Sequence, residues 1–154
     1  MKARGIAIGL LVCFFGAAIC FAADAFTGTW KLNEAKSKIG AGAMKNSTVV
    51  YEATGDDVKV TVEGTNAEGQ ATHSEWTGKF DGKDYPVTGD ATSDSRAYTK
   101  VDDHTLKFTA KKDGKVTLSG QITVSEDGKT RAVHTATTDA QGKKISSTAV
   151  YEKQ

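Results

Sequence analysis

The stretch Val58-Lys-Val-Thr-Val62 alternates apolar and polar residues without a break, and β-branched side chains dominate it. In an extended chain a period of two places Val58, Val60 and Val62 on one face and Lys59 and Thr61 on the other. One face of this strand is therefore buried and the other meets water. The same period recurs at Val49–Ala53, Trp76–Phe80, Leu106–Ala110 and Val116–Val124, and no stretch after residue 23 sustains a helical period.

Short polar segments separate these runs: Thr54–Asp57, Asn66–Gly69, Asp81–Lys83, Asp102–His104, Lys112–Lys115, Glu126–Lys129 and Asp139–Gly142. Each carries Gly, Asp or Asn where a tight hairpin needs residues tolerant of positive φ, so consecutive strands are antiparallel neighbours. Adding Gly28–Leu32, Tyr85–Thr88, Arg96–Val101, Thr130–Thr137 and Ile145–Glu152 gives a meander of about ten strands joined by short loops. Left open, such a meander exposes two unpaired edges. Closure removes them, which predicts an all-β, antiparallel up-and-down barrel of about eight to ten strands, with a two-sheet β-sandwich as the competing arrangement. The one helix candidate is Asn33–Lys38, where Asn33 can cap a single turn ahead of Gly40-Ala-Gly42.

The first residues belong to a different class of sequence. Lys2 and Arg4 precede a charge-free apolar run from Gly5 to Phe21, which ends in Ala22-Ala23-Asp24-Ala25. That is the pattern of a secretory signal peptide, expected over residues 1–23 with cleavage after Ala22, Ala23 or Ala25; residues 24–154 form a single domain. The protein is accordingly expected in the periplasm or secreted, with no stable membrane insertion after cleavage. Cys13 and Cys20 both lie in the leader, so the mature chain has no thiol; bulky Ile19 before Cys20 argues against lipid anchoring there. Asn46-Ser47-Thr48 matches a glycosylation acceptor and reads as the polar start of a strand.

Removing residues 1–23 takes two of the 20 basic charges and none of the 19 acidic ones, which leaves a formal charge of −1. The signs are interspersed, and no basic run offers a groove for nucleic acid.

Gly28-Thr29-Trp30 on a first strand, followed by a short irregular connection and a meander, resembles the opening of the lipocalin and fatty-acid-binding superfamily of barrels. The longer pattern "GTWKLNEAKSK" with "FDGKDYPVTG" further along looks like that of small secreted bacterial proteins described only as lipocalin-like. The resemblance spans nearly all of residues 24–154. It implies that Trp30 closes the barrel base. Lipocalins stack an arginine or lysine from a late strand on that tryptophan, and Arg131 is the nearest candidate. Fatty-acid-binding relatives hold a ligand carboxylate with an Arg-x-Tyr pair, and Arg96-Ala-Tyr98 has this spacing on an earlier strand.

Only two arginines, Arg96 and Arg131, stand in the mature chain against many lysines. Arg96 and Tyr98 share a strand face, and pointing inward they could together bind a carboxylate. Tyr51, Trp76 and Phe108 fall on the apolar phase of their strands, as core or as the lining of a ligand site, and Phe80 and Tyr85 share that phase. The expected ligand-binding residues are therefore Tyr51, Trp76, Arg96, Tyr98 and Phe108. The later strands offer Thr, Ser and His on both faces, so some polar groups must point inward and need partners. Of the histidines, His134 shares a phase with Ala132 and Ala136 and is the one expected to face the interior. His73, His104 and His134 have no metal-ligand spacing, and Asp90, Asp94, Asp102 and Asp103 read as solvated turns rather than a calcium loop.

No nucleophile stands beside a base, and His73 and Ser74 fall on opposite faces of a strand. The expectation is a non-catalytic protein with no cofactor and no metal, binding a small hydrophobic or amphipathic ligand inside the barrel. The competing expectations are a filled-core module acting through a surface patch or strand edge, and a small enzyme with its groups at the barrel mouth.

Overall fold

The computed structural model describes residues 24–138 and 141–154, so the expected leader lies outside the described residues. Ten strands follow one another: β1 (Gly28–Leu32), β2 (Lys45–Thr54), β3 (Asp57–Thr65), β4 (Ala71–Gly78), β5 (Tyr85–Thr88), β6 (Ser95–Asp102), β7 (Thr105–Lys112), β8 (Lys115–Val124), β9 (Thr130–Thr138) and β10 (Lys144–Lys153). Each pairs antiparallel with its sequence neighbours, and β1 pairs with β10 (Leu32 opposite Tyr151), which closes the barrel. The up-and-down barrel is the observed architecture, and the sandwich is not. A single 3-10 turn, Glu34–Lys36, precedes β2; the Asn33 side chain caps it by accepting from the Lys36 N–H at 3.1 Å.

Register shows which phase of every strand faces inward. Trp30 lies opposite Val49, Val49 opposite Val62, Val60 opposite Trp76, and Trp76 opposite Val87. Across the other half, Tyr98 opposes Phe108, Leu106 opposes Ile122, Val124 opposes Arg131, and Arg131 opposes Tyr151. Residues directly opposite share a face, so these buried side chains form one interior set. Two sequence expectations change here. β4 ends at Gly78 rather than running to Phe80, because the chain beyond it bonds residues 98–100 instead, with the Phe80 carbonyl accepting from the Lys100 N–H at 3.2 Å and Asp81 bridging Thr99. On β9 the inward phase is Arg131, Val133, Thr135 and Thr137, so His134 is exposed, with Nδ1 3.0 Å from the Thr148 hydroxyl.

At one end the interior is packed solid. Trp30 is wholly buried and its indole N–H donates to the Phe26 carbonyl at 2.8 Å. The Arg131 guanidinium lies 5.2 Å from the Trp30 ring centre, 5.1 Å from that of Tyr51 and 4.6 Å from that of Tyr151. A desolvated guanidinium gains about 2 kcal/mol or more from such an aromatic face. Further up, Trp76 contacts Tyr98 edge-on at 4.8 Å between ring centres, and Tyr98 meets Phe108 at 5.6 Å. Phe80 stacks on Trp76 from beyond the end of β4, 6.3 Å between ring centres.

Candidate functional site: a cavity at the open end

The large inward aromatics lie toward the Trp30 end, and smaller side chains line the opposite end. There the inward phase reads Val62 on β3, Ser74 on β4, Ala110 on β7, Leu118 on β8, Thr135 and Thr137 on β9, and Ser147 on β10. These side chains cannot fill the barrel cross-section. They line a cavity of about 590 Å³, whose mouth is formed by Gly42–Met44, Asp90, Thr92, Lys115 and Val116. That volume lies within the usual range for small-molecule sites. Two of the three large apolar side chains exposed on the described surface, Met44 and Val116, stand at this mouth.

The walls differ in chemistry. Val62 on β3 with Met44, and Ala110, Leu118 and Val116 on β7 and β8, give apolar patches on opposite walls, while Thr135, Thr137, Thr138 and Ser147 give a hydroxyl-bearing stretch on β9 and β10. Thr137 spends its hydroxyl proton on the Thr117 carbonyl at 2.7 Å, and Ser147 accepts from the Gly40 N–H at 2.9 Å, so both side chains are held in place.

One ion pair borders the cavity. Arg96 Nη2 donates to Asp90 Oδ2 at 3.2 Å, and the two side chains are 11% and 6% exposed, so water does little to screen them. The Asp90 carboxylate is saturated. Its Oδ1 accepts from the Thr92 N–H at 2.8 Å and the Thr92 hydroxyl at 2.7 Å, and its Oδ2 also accepts from the buried Ser93 hydroxyl at 2.5 Å. Burial pushes this carboxyl's pKa up, but hydrogen bonds from Ser93 and Thr92 and the Arg96 charge outweigh it and hold the group below the usual carboxylate range. Burial likewise works against the Arg96 charge; Tyr98 and Asp90 outweigh that and keep its pKa above the ordinary value. Arg96 Nη1 reaches the Tyr98 hydroxyl only at 3.5 Å, and Nε is buried without a hydrogen-bond partner.

Arg96 and Tyr98 do share the interior face, but the carboxylate on Arg96 is the chain's own Asp90. Of the five expected ligand residues, Arg96 borders the cavity. Tyr51, Trp76, Tyr98 and Phe108 are buried in the core cluster toward the Trp30 end and are not among the residues lining it. Burial pushes the Tyr51 phenol well above its usual pKa. Asp90, expected as a solvated turn residue, is buried because Gly89 (φ +77°) turns the chain back over the mouth. Nothing in the residue pattern marked Asp90 for burial; the inward hydroxyls of β9 and β10, by contrast, were foreshadowed by Thr and Ser on both faces. Among the described residues no group of three His, Cys, Asp or Glu could hold a metal ion.

No protein-family model matches the chain, and no curated protein matches it. Among solved structures it is similar to EF1p2_mFAP2b bound to DFHBI, at 14% identity over 86% of this chain and 97% of that one, with a TM-score of 0.51. A second similar structure is a redesigned β-barrel, mFAP1, bound to DFHBI, at 18% identity over 86% and 98% of the two chains, with a TM-score of 0.44. At 14% identity the likeness to the first of these is one of fold.

Proposed function

We propose that this protein is a non-catalytic, lipocalin-like carrier, exported to the periplasm or beyond, that takes up one small hydrophobic or amphipathic molecule in the open half of its barrel. The observation that carries this reading is the cavity of about 590 Å³ above a sealed aromatic base. A protein whose interior served only stability would gain by filling such a space, since each unfilled volume forfeits packing energy. Met44 and Val116, exposed at the mouth, offer an apolar rim over which a ligand can pass. The similar barrel EF1p2_mFAP2b is bound to DFHBI, a precedent for ligand binding on this fold. Export is supported by the sequence alone, through the apolar leader and its small-residue cleavage region.

The test is native mass spectrometry of the protein purified from its own host, set against the same sample after denaturation and delipidation. A mass excess that disappears on delipidation supports the carrier and gives the ligand's mass. The unliganded mass in both samples, together with no binding of apolar fluorescent probes, would sink it. The intact mass also reports cleavage: the expected value is that of a chain beginning at Ala23, Asp24 or Phe26.

A further inference from the structure

The Asp90–Arg96 pair gives the cavity a charge character that narrows its ligand class. An arginine in a barrel interior is an obvious anchor for a carboxylate, sulfonate or phosphate. Here that position is taken. Asp90 holds the guanidinium at 3.2 Å and its own two oxygens receive four hydrogen bonds, so the pair is balanced in charge, and what Arg96 still lacks is an acceptor for Nε rather than a counter-charge. An incoming anion would meet Asp90 as closely as it meets Arg96, and attraction and repulsion would nearly cancel while the anion still lost its hydration. The remaining cation among the lining residues, Lys115, is exposed at the rim and stays hydrated. The other polar groups around the space are neutral: hydroxyls such as those of Ser74, Thr135 and Ser147 share the lining with the apolar side chains of Val62, Ala110 and Leu118.

Resting on the carrier reading above, we propose that the ligand is an uncharged amphipathic molecule, with apolar groups against Val62 on β3 and Ala110 and Leu118 on β7 and β8 and a hydroxyl, carbonyl or amide edge toward β9 and β10, and that Asp90 excludes anions by neutralising Arg96. Asp90 is thus a specificity-determining residue: it leaves the fit for neutral molecules unchanged and removes the attraction that Arg96 alone would exert on acids.

The test uses N-phenylnaphthylamine and its sulfonate, anilinonaphthalene sulfonate, which share one carbon skeleton and differ in charge. Binding is followed by probe fluorescence, and only the signal weakened in a Leu118→Trp variant, which pushes an indole into the cavity, is counted. In the wild-type protein the neutral probe is expected to bind about tenfold or more tightly than the sulfonate. In Asp90→Asn, which keeps an acceptor for Thr92 but removes the charge, the preference is expected to move about tenfold toward the sulfonate. Equal or tighter sulfonate binding by the wild type overturns the proposal while leaving the carrier intact. So does a folded Asp90→Asn protein whose preference is unchanged. If neither probe gives a signal that Leu118→Trp weakens, the carrier reading itself fails, and this inference with it.

Discussion

Removing the Asp90 carboxylate should destabilise the barrel by far more than a surface ion pair could. Exposed pairs contribute about 0–1 kcal/mol, whereas taking one partner from a buried pair costs about 3–5 kcal/mol, because the other charge is left desolvated and alone. With side chains 11% and 6% exposed, Arg96 and Asp90 belong to the second group. After Asp90→Ala the guanidinium keeps only the long 3.5 Å contact to Tyr98, and Ser93, 1% exposed, loses the acceptor of its hydroxyl. The neighbouring cavity lets water reach part of the site, which places the expected loss at the lower end, about 3 kcal/mol. Removing both charges in Asp90→Ala/Arg96→Met should restore much of it, with a coupling energy of about 1.5 kcal/mol or more. Urea unfolding followed by tryptophan fluorescence measures each value, with an unchanged m-value as the check that the unfolded state is the same. A loss under about 1 kcal/mol for the single variant, or strict additivity in the double, would refute the claim that this pair is buried and mutually dependent. The pH dependence has a defined sign. Because the folded Asp90 pKa is depressed, its contribution is present above the ordinary aspartate value of about 3.9 and is lost as pH falls through the folded value. Asp90→Asn should therefore show a flatter stability profile than wild type in that acid window.

The aromatic base should be equally intolerant: Trp30→Ala is expected to cost about 3–5 kcal/mol in the same unfolding assay, since it empties a wholly buried volume beside Arg131. A loss under about 1 kcal/mol would show that the base is not packed as described. Gly120→Ala should destabilise by about 1–3 kcal/mol, because its Cβ would meet the His134 carbonyl oxygen at 2.5 Å and the Phe108 ring at 2.7 Å; a neutral or stabilising result would mean that β8 and β9 part more easily than their register implies. In alkaline titration followed by phenolate absorbance, Tyr51 and Tyr151 should stay protonated in the folded protein past the ordinary tyrosine value of about 10, since burial raises both. Stability is then full below about pH 10 and falls as pH rises toward the folded values; ionisation of all the tyrosines near the ordinary value without unfolding would contradict their burial.

Much of the fold is legible in the chain because its cause is local. The period of two in Val58–Val62 and its companions, the Gly and Asp turns between them, and the Asn33 cap each depend on residues within a few positions of one another, and they recur in the structure as strands, hairpins and a capped turn. Closure follows as the arrangement that leaves no edge unpaired. The site is less legible because depth inside a barrel depends on strand tilt and stagger, which alternation does not encode. Alternation places Tyr51, Trp76, Tyr98 and Phe108 inward, but only their position along the closed barrel puts them in the packed half, away from the lining of the cavity. On β9, small and polar residues on both faces left the inward phase ambiguous, and pairing of Arg131 with Tyr151 decided it against His134. Asp90 is the furthest from view: a turn aspartate looks solvated in any sequence, and its burial follows from a loop folding back until its carboxylate meets an arginine six residues on. The sequence by itself thus determined the alternating strands, the turns and their antiparallel order, which are short-range consequences of side-chain size and polarity. Only the tertiary structure decided which end is sealed, where the cavity lies and that Arg96 at its border is already paired with Asp90, because those follow from distances between segments that the chain brings together only on closing.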